Sequence, residues 1–374
     1  MNSPYFLPRD LHPAAWWVWA LGLATAASRT TNPWLLGLIL VVACQVVVAR
    51  RSDAPWAMSF RLYLYLGGLV IVLRVLFRFI FSGSGGPTVL ISLPEIPLPD
   101  FAAGINLFGD ISAESLLGGF YDGLRLATIL ICLGAANALA NPKRLLKSMP
   151  PALYEIATAI VVAITVFPQL ADSIVRVNRA RKLRGVSGKK RHVLKAIVIP
   201  VLEDALDRSM SLAASMDSRG YGRTGNATAR ARLLTGALMI AGLVGVCVGT
   251  YASLDATTPR YLATPVLMVG TLVALVGFVL AGRRVQRTRY RPDTWQFAEI
   301  VTALAGLACA FVLLSGFGFN DAVLFPSLAT AFWPELSLIP VTGVLCGVLP
   351  AFVTPAPAHT QVDRDDEHRK AASS

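Results

Sequence analysis

The chain has 374 residues, of which 55% are hydrophobic and only 15% charged, with a mean hydropathy of +0.58. That much apolar side chain excludes a water-soluble globular protein and predicts an all-α polytopic membrane protein. The formal charge of +12 does not imply nucleic acid, because lysine and arginine gather in short loops beside apolar runs, as the positive-inside rule describes.

Arg9 and Asp10 precede an apolar run that has no small-residue cleavage site, so no cleaved leader is expected. Apolar stretches at roughly 13 to 27 and 33 to 49 flank Ser28 to Asn32, and the second ends at Arg50-Arg51. This reads as a hairpin with both ends cytoplasmic. A third span, about 62 to 81, leads into a Gly/Pro-rich segment, Ser82 to Pro99. From there to Asp122 the charges are all acidic (Glu95, Asp100, Asp110, Glu114 and Asp122), which places the segment outside. The next span, about 123 to 140, returns to Lys143, Arg144 and Lys147 on the inner side.

Arg74 and Arg78 lie one turn apart in the third span, and Arg125 follows Asp122 in the fourth. Charges at that depth are expensive, and the reading here is that they snorkel or pair with Asp122 or a nearby acid. The competing reading is a role facing lipid or a partner.

Residues 152 to 174 are apolar enough to cross, but a crossing there would force the basic block behind them outside. They are therefore expected to form a membrane-embedded or interface-hugging helix. Further spans near 233 to 253, 262 to 281, 297 to 317 and 334 to 352 bring the total to about eight. The loop carrying Arg283, Arg284, Arg287, Arg289 and Arg291 then falls inside, as do both termini. The expected organisation has four parts: membrane helices over 1–150, a cytoplasmic or interfacial coupling-helix region over 151–232, membrane helices over 233–353, and a disordered tail over 354–374.

Between Arg176 and Lys195 the chain carries nine basic residues and no acid. Such a run attracts anionic headgroups at about 1 kcal/mol per residue near the surface, which marks Arg179, Arg181, Lys182, Lys189, Lys190 and Arg191 as an anionic-lipid surface. The punctuation needs a second explanation. Pro168 precedes Arg184-Gly185 and Pro200 precedes Arg219-Gly220, with Asp172 or Glu203-Asp204 soon after each proline. Proline first, acids in the first turn, a cation in the last and glycine beyond it are helix start and stop signals. The spacing predicts paired amphipathic helices, the second with Val201, Leu202, Ala205, Leu206, Ser209, Leu212, Ala213 and Met216 on one stripe. Each helix ends on an arginine whose planar fork suits a carboxylate partner.

Chemistry-bearing clusters are not readable. The cysteines (Cys44, Cys132, Cys247, Cys309, Cys346) sit in apolar runs without CxxC spacing and read as small core residues. The four histidines are scattered, so no metal site, cofactor or catalytic constellation is expected.

His12-Pro13, Asn141 to Leu145, Phe167 to Leu170, Arg179 to Gly185 and above all Ser215 to Gly222 together resemble the transmembrane T component of energy-coupling-factor (ECF) transporters, the EcfT/CbiQ family. The resemblance covers roughly residues 10 to 255. It implies a non-enzymatic membrane subunit that couples a cytoplasmic dimer of ABC-type ATPases to a separate substrate-binding S component for a vitamin or a transition-metal ion. The docking residues it implies are Leu183, Arg184 and Gly185 on one helix and Ser218, Arg219 and Gly220 on the other. In two respects the chain departs from the family: Leu183 stands where a small residue is usual, and the spans after about 255 exceed the usual core. Consistent with hydrolysis elsewhere, Gly185 to Lys190 only imitates the end of a phosphate-binding loop. The alternatives are a self-contained secondary transporter or channel with a basic cytoplasmic loop, which should show broken helices with midplane polar groups, and an enzyme acting on lipid-linked substrates. The latter needs clustered carboxylates or histidines, and the cytoplasmic acids show no such spacing.

Overall fold

The computed structural model describes residues 9–52, 57–81, 86–94, 96–97, 106–149, 151–183, 190–220, 228–255, 259–283, 294–328 and 333–357. In chain order the helices are α1 (Pro13–Ser28), α2 (Pro33–Arg50), α3 (Phe60–Ile80), α4 (Ala113–Leu139) and α5 (Pro142–Lys147). They continue as α6 (Tyr154–Leu183), α7 (Lys190–Ser218), α8 (Ala229–Leu254) and α9 (Arg260–Gly282). The last group is α10 (Phe297–Ser315), α11 (Asp321–Leu324), α12 (Leu338–Cys346) and α13 (Pro350–Val353). Six helices, α2, α3, α4, α8, α9 and α10, are long and apolar enough to cross a membrane, which makes this an all-α multi-pass membrane protein. The other two expected spans are shorter: α1 has 16 residues, and the second is the apolar stretch Leu338–Val353.

The Gly/Pro-rich segment between α3 and α4 contains short antiparallel pairings that its composition did not reveal. Strand β1 (Val89–Ser92) pairs with β4 (Asp110–Ser112), and β2 (Ile96–Pro97) with β3 (Asn106–Leu107). Ser112 then caps α4, its hydroxyl accepting from the Ser115 amide at 3.2 Å.

Contacts divide the chain into two compact units, Met1–Leu145 with Asp293–Ser374, and Leu146–Pro292. The first has a dense core of Trp19, Leu23, Leu35, Leu36, Ile39, Leu313 and Val344, all inaccessible. Gly22 on α1 and Gly306 on α10 let the two backbones touch, and a Cβ at either would overlap the other helix. Small residues at such crossings give close dispersion contact where lipid offers no hydrophobic drive. Polar ties cross long stretches of sequence. Trp19 Nε1 donates to the Gly347 carbonyl at 2.9 Å. Asn32 caps α2 through Trp34 N (3.0 Å) while its amide donates to the carbonyls of Val323 (2.8 Å) and Glu335 (2.9 Å). Arg9 forks onto Glu299 at 2.7 and 2.9 Å, and Glu299, 1% exposed, also accepts from Gln296 N to close the capping box of α10.

The span-embedded arginines find partners in part. Arg78 lies 3.8 Å from Asp122 across the α3–α4 contact. Arg125 does not use Asp122 and instead donates to the Ser28 carbonyl at the end of α1. Arg74 is exposed on α3. Among the cysteines, Cys132 and Cys309 are buried as expected of core residues, whereas Cys247 and Cys346 are exposed.

In the second unit α8 and α9 form a close pair. Gly245 opposes Gly270, Gly242 opposes Ala274 and Gly249 opposes Leu267, with no room for a Cβ at any of these glycines. The other pair, α6 with α7, carries the sequence-predicted site.

Candidate functional site

Helix α6 has 30 residues and α7 has 29, so each is about 45 Å long at 1.5 Å per residue. Both start well before the prolines read as their first turns: Pro168 and Pro200 are interior positions of helices that begin at Tyr154 and Lys190. Proline removes one donor from the ladder and crowds the preceding turn, but its φ suits a helix, and long helical flanks on both sides carry the chain through. The apolar stretch 154–174 and the basic stretch 176–183 thus belong to one continuous element.

This shift changes what the acids do. Asp204, read as a first-turn residue, lies mid-helix and clamps α7 to α6. Its Oδ2 accepts from Ser173 Oγ at 2.7 Å and from Arg176 Nη2 at 3.2 Å, and its Oδ1 accepts from Arg208 Nε at 3.0 Å. Arg208 reaches back to Gln169 Oε1 at 3.4 Å. Gln169, Ser173 and Arg176 are spaced by four and three residues on α6, and Asp204 and Arg208 by four on α7, so each set shares one face. Ser173 is 1% exposed and Val201 9%, which places the clamp beside the driest part of the contact. Hydrogen bonds from the Ser173 hydroxyl and the Arg208 guanidinium hold the Asp204 carboxyl below the usual aspartate range; burial opposes them, and the charges of Arg208 and Arg176 add smaller support. Sequence reasoning missed this cluster, although the matched spacings Gln169-Ser173-Arg176 and Asp204-Arg208 were a signal for it.

The predicted apolar stripe of α7 divides. Val201 is buried and Ala205 and Met216 half-buried, while Leu202, Leu206, Ser209, Leu212 and Ala213 stay exposed.

The end of α7 has the predicted punctuation. Ser218 is its last residue, with Oγ donating to the Ser215 carbonyl at 2.9 Å. The Arg219 amide bonds to Met216 O at 3.1 Å and the Gly220 amide to Asp217 O at 2.9 Å, tightening the final turn. Gly220 then takes φ +76°, the left-handed conformation in which glycine ends helices without a Cβ clash. Arg219 is exposed, and its side chain has no hydrogen bond or ion pair among the described residues.

Leu183 closes α6 and is 89% exposed. Arg184 and Gly185 directly after it, and Lys189, lie outside the described residues. Arg179 is exposed on α6. Arg181 and Lys182 belong to α6, and Lys190 and Arg191 open α7; the side chains of these four lie outside the described set. Among the described residues no three His, Cys, Asp or Glu side chains converge. What this surface offers chemically is charge-assisted hydrogen bonding to an acidic partner.

The CbiQ family, described as cobalt transport protein, matches residues 6–229, more than half the chain. A curated relative, the energy-coupling factor transporter transmembrane protein EcfT of Streptococcus equi subsp. equi (strain 4047), is 26% identical over 204 residues, covering 53% of this chain and 73% of the relative.

Proposed function

This chain belongs to the CbiQ family of cobalt transport proteins, and from that membership we propose that it is the membrane coupling subunit of an ECF-type ABC transporter. In this reading it links ATP hydrolysis by two cytoplasmic ABC-type ATPases to uptake through a separate substrate-binding membrane subunit, whose cargo is a vitamin or a transition-metal ion. The subunit itself catalyses nothing. The similarity to an energy-coupling factor transporter transmembrane protein supports the reading.

The observation that carries it is Arg219, held at the tip of α7 by a left-handed glycine and left exposed. A guanidinium presented this way meets a carboxylate groove at little ordering cost, because the helix end beneath it is already fixed. The Asp204 clamp gives the tip mechanical value: a pull on Arg219 is resisted by α6 as well as α7, so motion of a docked ATPase reaches both helices. Leu183-Arg184-Gly185 is the second docking point at the end of α6, and Arg179, Arg181, Lys182, Lys189, Lys190 and Arg191 meet anionic lipid on the cytoplasmic side.

Affinity purification of the tagged chain from its native membranes in mild detergent tests the reading. Wild type should co-elute an ATPase pair; Arg219→Ala should stay in the membrane, lose most of that pair and abolish coupled uptake. Unchanged ATPase recovery and uptake in Arg219→Ala would sink the docking role. Arg184→Glu should be worse than Arg184→Ala, since a reversed charge adds repulsion to the lost pair.

A further inference from the structure

The last residue of α2, Arg50, is a guanidinium with no ion pair among the described residues. A small half-open cavity at this end of the first unit is lined by Arg9, Asp10, Trp16, Arg50, Ser52 and Asn141, among others. The other two charges in its wall are occupied: Arg9 forks onto Glu299, and Asp10 receives Arg144 at 3.8 Å. Arg50 has no carboxylate partner among the described residues. Its Nη2 donates to the Ala351 carbonyl at 2.6 Å, and its Nε is buried with no hydrogen-bond partner. Buried donors are almost always satisfied, so an orphan lining a polar cavity marks the place of an acceptor. Both its charge and its geometry ask for an anion, since a guanidinium fork matches the oxygens of a phosphate.

The position of the cavity selects the source. Helix α2 has 18 residues, about 27 Å at 1.5 Å per residue, close to the ~30 Å hydrocarbon thickness of a bilayer. A helix that spans from Pro33 therefore delivers Arg50 to headgroup depth, with the Trp16 ring in the same wall. Aromatic rings and cationic side chains are the usual furniture of that layer.

We propose that the cavity at the end of α2 binds the phosphate of an anionic phospholipid headgroup, with Arg50 as its charge partner and Ser52 and Asn141 as polar groups in the same lining. The site is separate from the basic stretch on α6 and α7 and does not depend on the coupling reading.

The test uses the purified full-length chain in a neutral detergent, titrated with phosphatidylglycerol, phosphatidylcholine or inorganic phosphate, with thermal unfolding and native mass spectrometry as readouts. Phosphatidylglycerol should raise the unfolding temperature and leave one retained lipid. Arg50→Gln should weaken that binding on the order of tenfold, the scale of one lost charge-assisted contact. Ser52→Ala, which keeps Arg50 and its helix intact, should weaken it less but in the same direction, so the proposal remains testable if Arg50→Gln does not fold. Equal retention of phosphatidylglycerol by wild type and both cavity variants overturns the proposal, as does equal stabilisation by phosphatidylcholine. Full protection by inorganic phosphate alone overturns the lipid assignment in favour of a free anion.

Discussion

The first unit and the α6–α7 pair are held together by different physics. In the first, α1, α2, α10 and α12 bury large apolar side chains and touch backbone to backbone at Gly22 and Gly306, with a buried ion pair tying residue 9 to residue 299. In the pair, a polar cluster around Asp204 joins two helices that leave Leu202, Leu206 and Met210 exposed. Packed interiors resist displacement and respond to volume changes of a single methylene, whereas sparsely packed elements are the ones proteins draw on for motion. The first unit is built as an anchor. In the proposed coupling role the pair is the part that transmits.

Substitutions can break this contrast or sharpen it. The largest loss of stability should come from Glu299→Ala, which strands Arg9 and opens the α10 cap; removing one partner of a buried pair costs about 3 kcal/mol or more. Thermal unfolding in detergent measures it, and a wild-type midpoint would deny the anchor its polar tie. Gly306→Ala should follow, at about 1–3 kcal/mol for overpacking, since its Cβ overlaps the Trp19 backbone. A neutral result would mean that α1 and α10 separate freely.

Asp204→Ala should leave the unfolding midpoint near wild type yet reduce coupled uptake severalfold, because the clamp and not the core is removed. A large midpoint drop with normal uptake would reverse the assignment of roles. The clamp should also ignore mild acid. Its carboxyl titrates below the ordinary aspartate value of about 3.9, so its contribution is fully present above that value and is lost only as pH falls through the lowered one. Uptake that falls between pH 8 and pH 5 in wild type but not in Asp204→Asn would contradict this. Arg219→Ala should change stability least, as an exposed residue without partners among those described, while removing the ATPases. Together these variants separate what keeps the protein folded from what lets it couple.

Much of this was legible in the chain. Apolar runs at 33–49, 233–253, 262–281 and 297–317 foretold α2, α8, α9 and α10 to within a few residues, because hydropathy over twenty positions is a local sum. The end of α7 was equally readable, since the cap at Arg219-Gly220 is completed by bonds three residues back. The helix starts were misread because proline and a nearby acid form a local signal that long helical flanks outweigh at Pro168 and Pro200.

What the sequence determined alone was therefore everything that depends on neighbours along the chain: membrane class, most span positions, and the arginine at the tip of α7. The tertiary structure decided which distant groups meet, namely Glu299 with Arg9, Asp204 with Ser173, Gly306 with Gly22, and the carbonyl of Ala351 beneath Arg50. Each of those contacts joins positions more than thirty residues apart, and a one-dimensional pattern carries no record of which faces close on each other until the helices pack.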